Sequence, residues 1–372
     1  MKKLFIITGE YSADMHAACV VDELQNANIE IEAIGGVELA KRNIKLFCNH
    51  SKMSGVGINP KMIFEHLMLG KNLVNYLKNE YKPDAVLLID YGGFNLKIAQ
   101  ALKNSDIKVF YYICPQLWAT RYHRIKAIKK YVNKVFLILP FEKEIYDKEN
   151  IKNEFVGHPL ISQLPAPIEK SEFIKKNNLD NDKKIIGIFP GSRIFEIKNL
   201  LKTFIKSAEI IAKNHPNVQF CIAQAPNLKD EVLQRYFKNT NLNIKILKNQ
   251  NHDLLSSADA LILASGTVAL EAMLYETPML ISYKAPWILY LGYLLLRNIK
   301  YVCLCNIISK EEVVKELIQL KATPEIIAGE CEKLLFEEKK ILYQKEKYKE
   351  IRQLLSSKIS SKEVARGILE EL

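Results

Sequence analysis

Long hydrophobic runs are missing from this chain. Its longest uncharged apolar stretch, residues 285–296, is twelve residues long, whereas a helix crossing a bilayer needs about 20. That excludes a membrane span. The stretch (Trp287, Ile288, Leu289, Tyr290, Leu291, Tyr293, Leu294) is apolar on nearly every helical face. It is left as a buried core helix, a dimer contact or an interfacial segment. Cysteine spacing is uninformative as well. Cys19, Cys48, Cys114, Cys221, Cys303, Cys305 and Cys331 show no C-x-x-C pair, and most sit in apolar runs where a thiol behaves as a small hydrophobe. The histidines form neither H-x-x-x-H nor H-E-x-x-H, so no metallohydrolase motif is present. Low-complexity tracts and 20–50-residue repeats are absent, which excludes solenoids and disordered scaffolds. Met1-Lys2-Lys3 leads at once into an apolar run, 4–7, too short for a secretory h-region. A reducing cytoplasm is the expected compartment.

Acidic residues are in deficit: 42 against 53 basic ones, a net charge of +11. Such an excess suits nucleic acid, acidic lipid headgroups or phosphorylated substrates, although a lysine-rich solvated surface accounts for it equally. Within it, Arg121, Arg124, Lys126, Lys129, Lys130 and Lys134 concentrate on one predicted helix beside Trp118 and Tyr122. A basic helix with interfacial aromatics either lies on a membrane surface or caps a sheet. No RNA-binding motif is present and no nucleic-acid partner is expected. What remains is ordinary for a globular protein: 372 residues, 48% hydrophobic and 26% charged, enough for two domains.

Short apolar runs alternate with longer amphipathic segments, the pattern of α/β architecture with parallel sheets. Strands are predicted at 4–8, 29–34, 85–89, 109–113, 135–138 and 154–156, with helices between them, including an amphipathic one at 61–78. Residues 157–167 have the proline density of a linker. The pattern then restarts with strands at 185–189, 218–223, 244–247, 260–263 and 279–282. From 333 onward the chain is helical and highly charged. The expected domains are 1–167 and 168–345, two Rossmann-like doubly wound halves facing across a cleft. Helices in 346–372 are expected to pack back across the boundary.

Chemistry-bearing residues gather at strand ends. Strand 260–263 runs into Ser265-Gly266-Thr267, small residues that leave a helix start uncovered for an anion, and Glu271 follows one turn later. Strand 185–189 runs into Pro190-Gly191-Ser192-Arg193. Two such turns, an arginine and a carboxylate are what a diphosphate-linked ribose requires, so the chain reads as a nucleotide-sugar enzyme. In the first half, Gly9-Glu10-Tyr11-Ser12 follows the first strand without the G-x-G-x-x-G spacing of a dinucleotide site. Ser12 is expected to be an N-cap; Glu10 has no comparable structural task. Asp90, before Gly92 and Gly93, either caps a turn or serves as a general base. Asp180-Asn181-Asp182 matches a metal-binding D-x-D but lies in a polar loop and reads as a turn. His158 reads as a hinge hydrogen-bonder. No metal and no cofactor is expected.

Taken in order, these turns resemble the lipid-A-disaccharide synthases. The resemblance is carried by Gly9-Glu10-x-Ser12-x-Asp14, Asp90-x-x-x-Phe94-Asn95, Pro115-x-x-Trp118-Ala119-x-Arg121, Leu139-Pro140-Phe141-Glu142, Gly157-His158-Pro159, Pro190-Gly191-Ser192-Arg193-x-x-Glu196, Ser265-Gly266-Thr267-x-Ala269-Leu270-Glu271, Asn306 and 314–319. It covers roughly residues 3–320. It implies a GT-B fold and an inverting transfer from UDP-2,3-diacylglucosamine to 2,3-diacylglucosamine 1-phosphate (lipid X), giving a β-1,6-linked disaccharide and UDP. It further implies a cytoplasmic enzyme on the inner face of the inner membrane, meeting anionic lipid and able to form a homodimer through its C-terminal half. Asp90 is implied as base, with Glu10 second. Gly191, Ser192, Arg193, Ser265, Gly266, Thr267, Glu271, Asn306, Glu316 and Gln319 are implied on the donor side. Ser12, Asp14, Asn95, Trp118, Arg121, Met62 and Leu69 are implied on the acceptor or membrane side. The chain departs from the family pattern at Gly93, where a second acid is usual, and at Thr120, where a second tryptophan is usual. Met53-Ser54-Gly55-Val56-Gly57 lacks the acid that commonly follows Met-Gly. A UDP-GlcNAc 2-epimerase or another UDP-sugar enzyme would share the donor turns without needing a lipid acceptor.

Overall fold

The structure, a computed structural model, describes residues 1–50, 60–238, 240–286, 290 and 300–372, with the side chains of 60–63 outside that description. Most of the apolar stretch 285–296, the Met53-Ser54-Gly55-Val56-Gly57 segment and the Met62 side chain therefore lie outside the described residues. The chain divides into two compact units, one made of Met1–Pro159 with Leu355–Leu372 and the other of Leu160–Leu354. The first boundary thus falls after Pro159, not after the last proline of the 157–167 segment. The C-terminal return begins at Leu355, not at 346.

In the first unit seven parallel strands are ordered β3-β2-β1-β4-β5-β6-β7. They are β1 (Lys2–Ile7), β2 (Ile29–Gly35), β3 (Lys45–Asn49), β4 (Ala85–Ile89), β5 (Lys108–Tyr112), β6 (Lys134–Leu137) and β7 (Asn153–Phe155). Alternate residues of β1 and β4 feed two cores: Phe5, Ile7, Val86 and Leu88 one, Leu4, Ile6, Leu87 and Ile89 the other. Two buried faces explain why the strands read as continuous apolar runs. Helices Pro60–Asn75, Gly92–Leu102 and Ile125–Tyr131 contribute to the first core. Tyr11–Leu24 and the final helix Ser360–Leu369 contact each other and contribute to the second. The returning helix is fastened at Gly157, where φ is +85° and a Cβ would lie 2.3 Å from the Lys358 carbonyl oxygen, so only glycine fits.

In the second unit six parallel strands are ordered β10-β9-β8-β11-β12-β13: β8 (Lys184–Phe189), β9 (Val218–Gln224), β10 (Ile244–Lys248), β11 (Ala260–Ala264), β12 (Met279–Tyr283) and β13 (Lys315–Ile318). Both sheets have the same plan, three strands running one way from the first and the rest running the other. The strand order reverses between β1 and β4 and again between β8 and β11. Ligands of doubly wound sheets bind outside the carboxyl ends of the strands at these switch points.

Two short strands, β3 and β13, escape sequence prediction because each carries a mixed polar and apolar run. The basic helix is also shorter than expected. A 3-10 turn, Tyr122–Arg124, precedes the helix Ile125–Tyr131, and Lys134 belongs to β6. There it is buried and paired with Glu154 at 2.9 Å, because a strand residue beside the returning helix needs its charge matched. Arg121, Lys126, Lys129 and Lys130 remain exposed. Among the described residues no helix is long and apolar enough to cross a membrane, and all seven thiols are free.

Candidate functional site

The switch point of each sheet carries a candidate site. In the first unit Asp90 and Tyr91 follow β4 in consecutive left-handed conformations, each with φ of +49°. Non-glycine residues rarely adopt that region, and each such residue costs on the order of 1–3 kcal/mol. The surrounding structure imposes it. Tyr111 Oη and Asn95 Nδ2 donate to the Asp90 carbonyl at 2.8 and 2.7 Å, and Asp90 N–H donates to the Tyr112 carbonyl at 3.1 Å. The Tyr91 ring lies over Gly9, where a Cβ would stand 2.2 Å from it, so the turns after β1 and β4 close on each other. Burial, and then the neighbouring Glu10 carboxylate, hold the Asp90 carboxyl above the usual aspartate range, with the Tyr91 N–H opposing them. A carboxylate of raised basicity at a strand end is what a general base requires.

Two of the expected first-unit ligands, Asp14 and Asn95, are bonded to the backbone of their own unit. Asp14 is fully buried and accepts from Gly36 N–H at 2.7 Å and Glu38 N–H at 2.8 Å. Both its oxygens are spent on starting the Val37–Ala40 helix. Asn95 is likewise buried and its amide braces the Asp90 turn. Ser12 is not the N-cap: Glu10 takes that position without a side-chain cap bond, and Ser12 is exposed inside the first turn. The Trp118 ring meets Phe141 edge-on at 5.4 Å. Arg121 is exposed, with φ of +56°. Leu69 packs on the core, and Phe64, Leu67 and Met68 are the exposed large apolar residues among the described side chains of the Pro60–Asn75 helix.

Glu142, at the head of the Glu142–Lys148 helix, is buried and accepts from Leu139 N–H at 3.3 Å. Burial raises its pKa from 4.5 to about 8. Between these values the folded protein holds a proton that the unfolded chain has released. This group's stabilisation is therefore complete below about 4.5 and lost as the pH climbs to about 8. Glu142→Gln is expected to remove a downward slope of about 1.4 kcal/mol per pH unit across that window. Urea midpoints of the two proteins at pH 5, 7 and 9 measure it; parallel pH dependences would refute a buried, protonated Glu142.

In the second unit the turns after β8 and β11 line one cavity of about 320 Å³. Gly191, Ser192, Arg193 and Glu196 contribute from one side, Ser265, Gly266, Thr267 and Glu271 from the other, with Asn251 between. Among the described residues no backbone hydrogen bond engages the N–H groups of Gly266, Thr267 or Val268, and a Cβ on Gly266 would meet nothing within 4 Å. Gly266 and Thr267 are exposed and Val268 is partly so, and all three line the cavity, which leaves these donors available to a ligand. The β8 turn differs from expectation. Glu196 Oε2 already accepts from Ser192 N–H at 3.0 Å and Arg193 N–H at 3.2 Å, as an acid at the third helical position does in a capping box. Those two backbone donors are spent, and the turn adds the Arg193 side chain. That side chain is 78% exposed, and among the described residues only Nη1 is engaged, to Glu196 at 3.3 Å. Gly191 has φ of +102°, and a Cβ would stand 2.2 Å from Glu196 Oε2, so glycine is obligatory. Burial raises the pKa of Glu271, and nearby His252 opposes it.

Asn306, Glu316 and Gln319 do not line this cavity. Asn306 exchanges hydrogen bonds with the Val314 backbone, 2.7 Å from Nδ2 and 2.8 Å to Oδ1, and donates to Glu316 at 2.8 Å. Glu316 accepts from Val302 and Cys303 N–H, and Gln319 pairs with the Ala285 backbone. They tie β13 and its loops together, since buried amides and carboxylates must find partners. Asp180 accepts from Asp182 N–H at 3.0 Å, an Asx turn. Glu196 and Asn251 were missing from the expected set. The first was legible from its spacing after Arg193. The second was not, because it belongs to a helix, Asn251–Ser257, with no apolar period to announce it. Its Oδ1 is buried without a hydrogen-bond partner among the described residues.

Comparison with known proteins agrees with this geometry. The sequence model of the Lipid-A-disaccharide synthetase family matches residues 4–368. The lipid-A-disaccharide synthase of Coxiella burnetii is 38% identical over 340 residues, 90% of this chain and 89% of that protein. That of Nitrosococcus oceani is 32% identical over 355 residues, 95% and 92% of the two. Among solved structures, UDP-GlcNAc 2-epimerase from Neisseria meningitidis bound to UDP-GlcNAc superposes with a TM-score of 0.65 at 16% identity, covering all of both chains. MurG from Acinetobacter baumannii gives 0.57 at 15%, covering 96% of this chain and 100% of that one. The structural likeness establishes the two-unit GT-B fold. The sequence matches establish more: this chain is a glycosyltransferase belonging to the lipid-A-disaccharide synthase family.

Proposed function

We propose that the protein condenses UDP-2,3-diacylglucosamine with 2,3-diacylglucosamine 1-phosphate, inverting the anomeric centre to give the β-1,6-linked disaccharide 1-phosphate and UDP. The observation that carries this reading is the convergence of Arg193, the free N–H groups of Gly266–Val268 and Glu271 on one cavity. As the bond from C1 to the UDP oxygen breaks, positive character grows on the sugar and negative charge on the diphosphate. Arg193 receives that charge in a fork, and the preoriented N–H groups of the β11 turn receive the rest without reorganising. Together they supply the neutralisation that many transferases draw from a divalent cation. Glu271 accepts hydrogen bonds from the ribose hydroxyls. Asp90 takes the proton from the acceptor 6-hydroxyl as that oxygen attacks the face opposite UDP, and Glu10 is the second candidate for the base. UDP-GlcNAc 2-epimerases share the fold, so the fold does not choose between the activities; the family does.

Phe64, Leu67 and Met68, exposed on one helix, and the exposed Arg121, Lys126, Lys129 and Lys130 beside the next but one support attachment to the cytoplasmic face of the inner membrane. Both helices pack against Gly92–Leu102, so the apolar and basic residues belong to one side of the sheet. Apolar side chains enter the headgroup boundary and the basic ones meet anionic lipid. Binding to anionic vesicles is expected to weaken sharply at about 1 M salt, where the Debye length is about 3 Å; retention unchanged by salt would refute the electrostatic part. A homodimer through the second unit is what the family resemblance implies, and sedimentation of the purified chain tests it.

The direct test is transfer of radiolabelled sugar from UDP-2,3-diacylglucosamine to lipid X by purified protein. A labelled disaccharide phosphate is the expected product. Release of UDP and a free sugar with no lipid-linked product would refute the proposal.

A further inference from the structure

A second cavity, of about 650 Å³, lies in the first unit between the helices Pro60–Asn75 and Gly92–Leu102. Its size is that of a small-molecule site, for which about 300–1,000 Å³ is usual. Leu67, Val74, Phe94, Ile98 and Ala101 give it apolar walls. At one end stands Tyr91, the second residue of the strained Asp90 turn, with its hydroxyl 2.8 Å from His66 Nε2. The cavity is therefore continuous with the turn that carries the base. Lys71 and Lys97 also line it. Both are exposed, and neither makes an ion pair among the described residues. An apolar channel bearing two unmatched cations fits an anionic amphiphile.

Gly93 opens this space. It sits in the first turn of its helix, lines the cavity and is exposed, and a Cβ built on it meets nothing within 4 Å. Among the described residues, a side chain at 93 would start into the cavity without meeting protein at its Cβ. Gly92, one residue earlier, is different: a Cβ there would stand 2.4 Å from Pro115. Backbone packing thus requires glycine at 92 but not at 93.

We propose that this cavity is the acyl subsite of the lipid acceptor, that Lys71 and Lys97 draw in the phosphate of the same molecule, and that the missing side chain at Gly93 sets how much acyl chain is admitted. The proposal rests on the function assigned above. One acyl chain runs along Phe94 and Ile98 while the sugar hydroxyl remains at Asp90. Position 93 thereby becomes a specificity determinant in which a small residue admits a long chain. Each methylene excluded from an apolar pocket is a several-fold loss of affinity.

The test compares wild type with Gly93→Leu, whose leucine suits a helical position better than glycine does. One measurement is fluorescence titration with 11-(dansylamino)undecanoic acid, an anionic chain with an environment-sensitive ring. Wild type is expected to bind it saturably, and Gly93→Leu at least ~10-fold more weakly. The other is the ratio of kcat/KM for a long-chain diacyl acceptor to that for a diacetyl acceptor, which is expected to fall at least ~10-fold in the variant, through KM. Circular dichroism and the urea midpoint establish that the variant is folded; if it is not, Gly93→Ser takes its place, with a smaller shift in the same direction. Wild-type enzyme that transfers sugar normally while both ratios stay flat in the variant overturns the subsite and leaves the assigned function standing. Probe binding that depends on position 93 in a protein that transfers to no lipid acceptor overturns the assigned function, and with it the occupant named here.

Discussion

Asp90→Asn is expected to slow sugar transfer by at least ~10²-fold with the fold intact, the scale on which a positioned general base acts. Asparagine is the better replacement than alanine because residue 90 sits at φ of +49°, a region asparagine tolerates and alanine does not. Asp90→Ala is expected to lose as much activity and some stability besides. The pH profile carries the same information. The base acts ionised, and burial together with Glu10 raises its pKa. Activity should therefore fall on the acid side at a pH above the ordinary aspartate range. Glu10→Gln removes the neighbouring charge and is expected to move that acid limb downward while Asp90 continues to work. Near-normal turnover in Asp90→Asn would transfer the role of base to Glu10; a limb unmoved in Glu10→Gln would show that the two carboxyls do not interact.

Arg193→Ala is expected to lower kcat/KM for the UDP-sugar at least ~10²-fold, comparable to removing a donor from an oxyanion site. Three features make the effect large. The guanidinium is mostly exposed in the cavity, only one of its nitrogens is engaged among the described residues, and Glu196 has already taken the backbone donors of Ser192 and Arg193. Arg193→Lys should recover little, because an ammonium cannot bind a diphosphate in a fork. Calorimetric titration with UDP separates the alternatives. A variant that binds UDP as wild type does and transfers at a normal rate would remove Arg193 from the donor site and leave the β11 turn to hold the diphosphate alone.

The strand-to-helix turns were legible because they depend on short-range chemistry. An apolar run ending in Ser265-Gly266-Thr267, or in Pro190-Gly191-Ser192-Arg193, announces a strand end, a sharp turn and a helix start whatever the rest of the chain does. The positions of Asp90, directly after β4, and Glu10, three residues beyond β1, were legible in the same way. The division of polar residues between ligand contact and scaffold was not legible. Asp14, Asn95, Asn306, Glu316 and Gln319 have the residue types of a binding site, and each bonds to backbone groups 5 to 34 positions away.

Local pattern alone therefore decided that this chain makes two parallel α/β units with phosphate-friendly turns at their strand ends, since periodicity and turn chemistry act over a few residues. Tertiary packing decided which donors remain free. Glu196 takes two backbone donors of the β8 turn, Asp90 is forced into a left-handed conformation by Tyr111 and Asn95, and a largely apolar cavity lies beside Gly93. The physical reason is that a hydrogen-bonding group's availability, and a carboxyl's proton affinity, depend on what else the fold brings within about 3 Å of it.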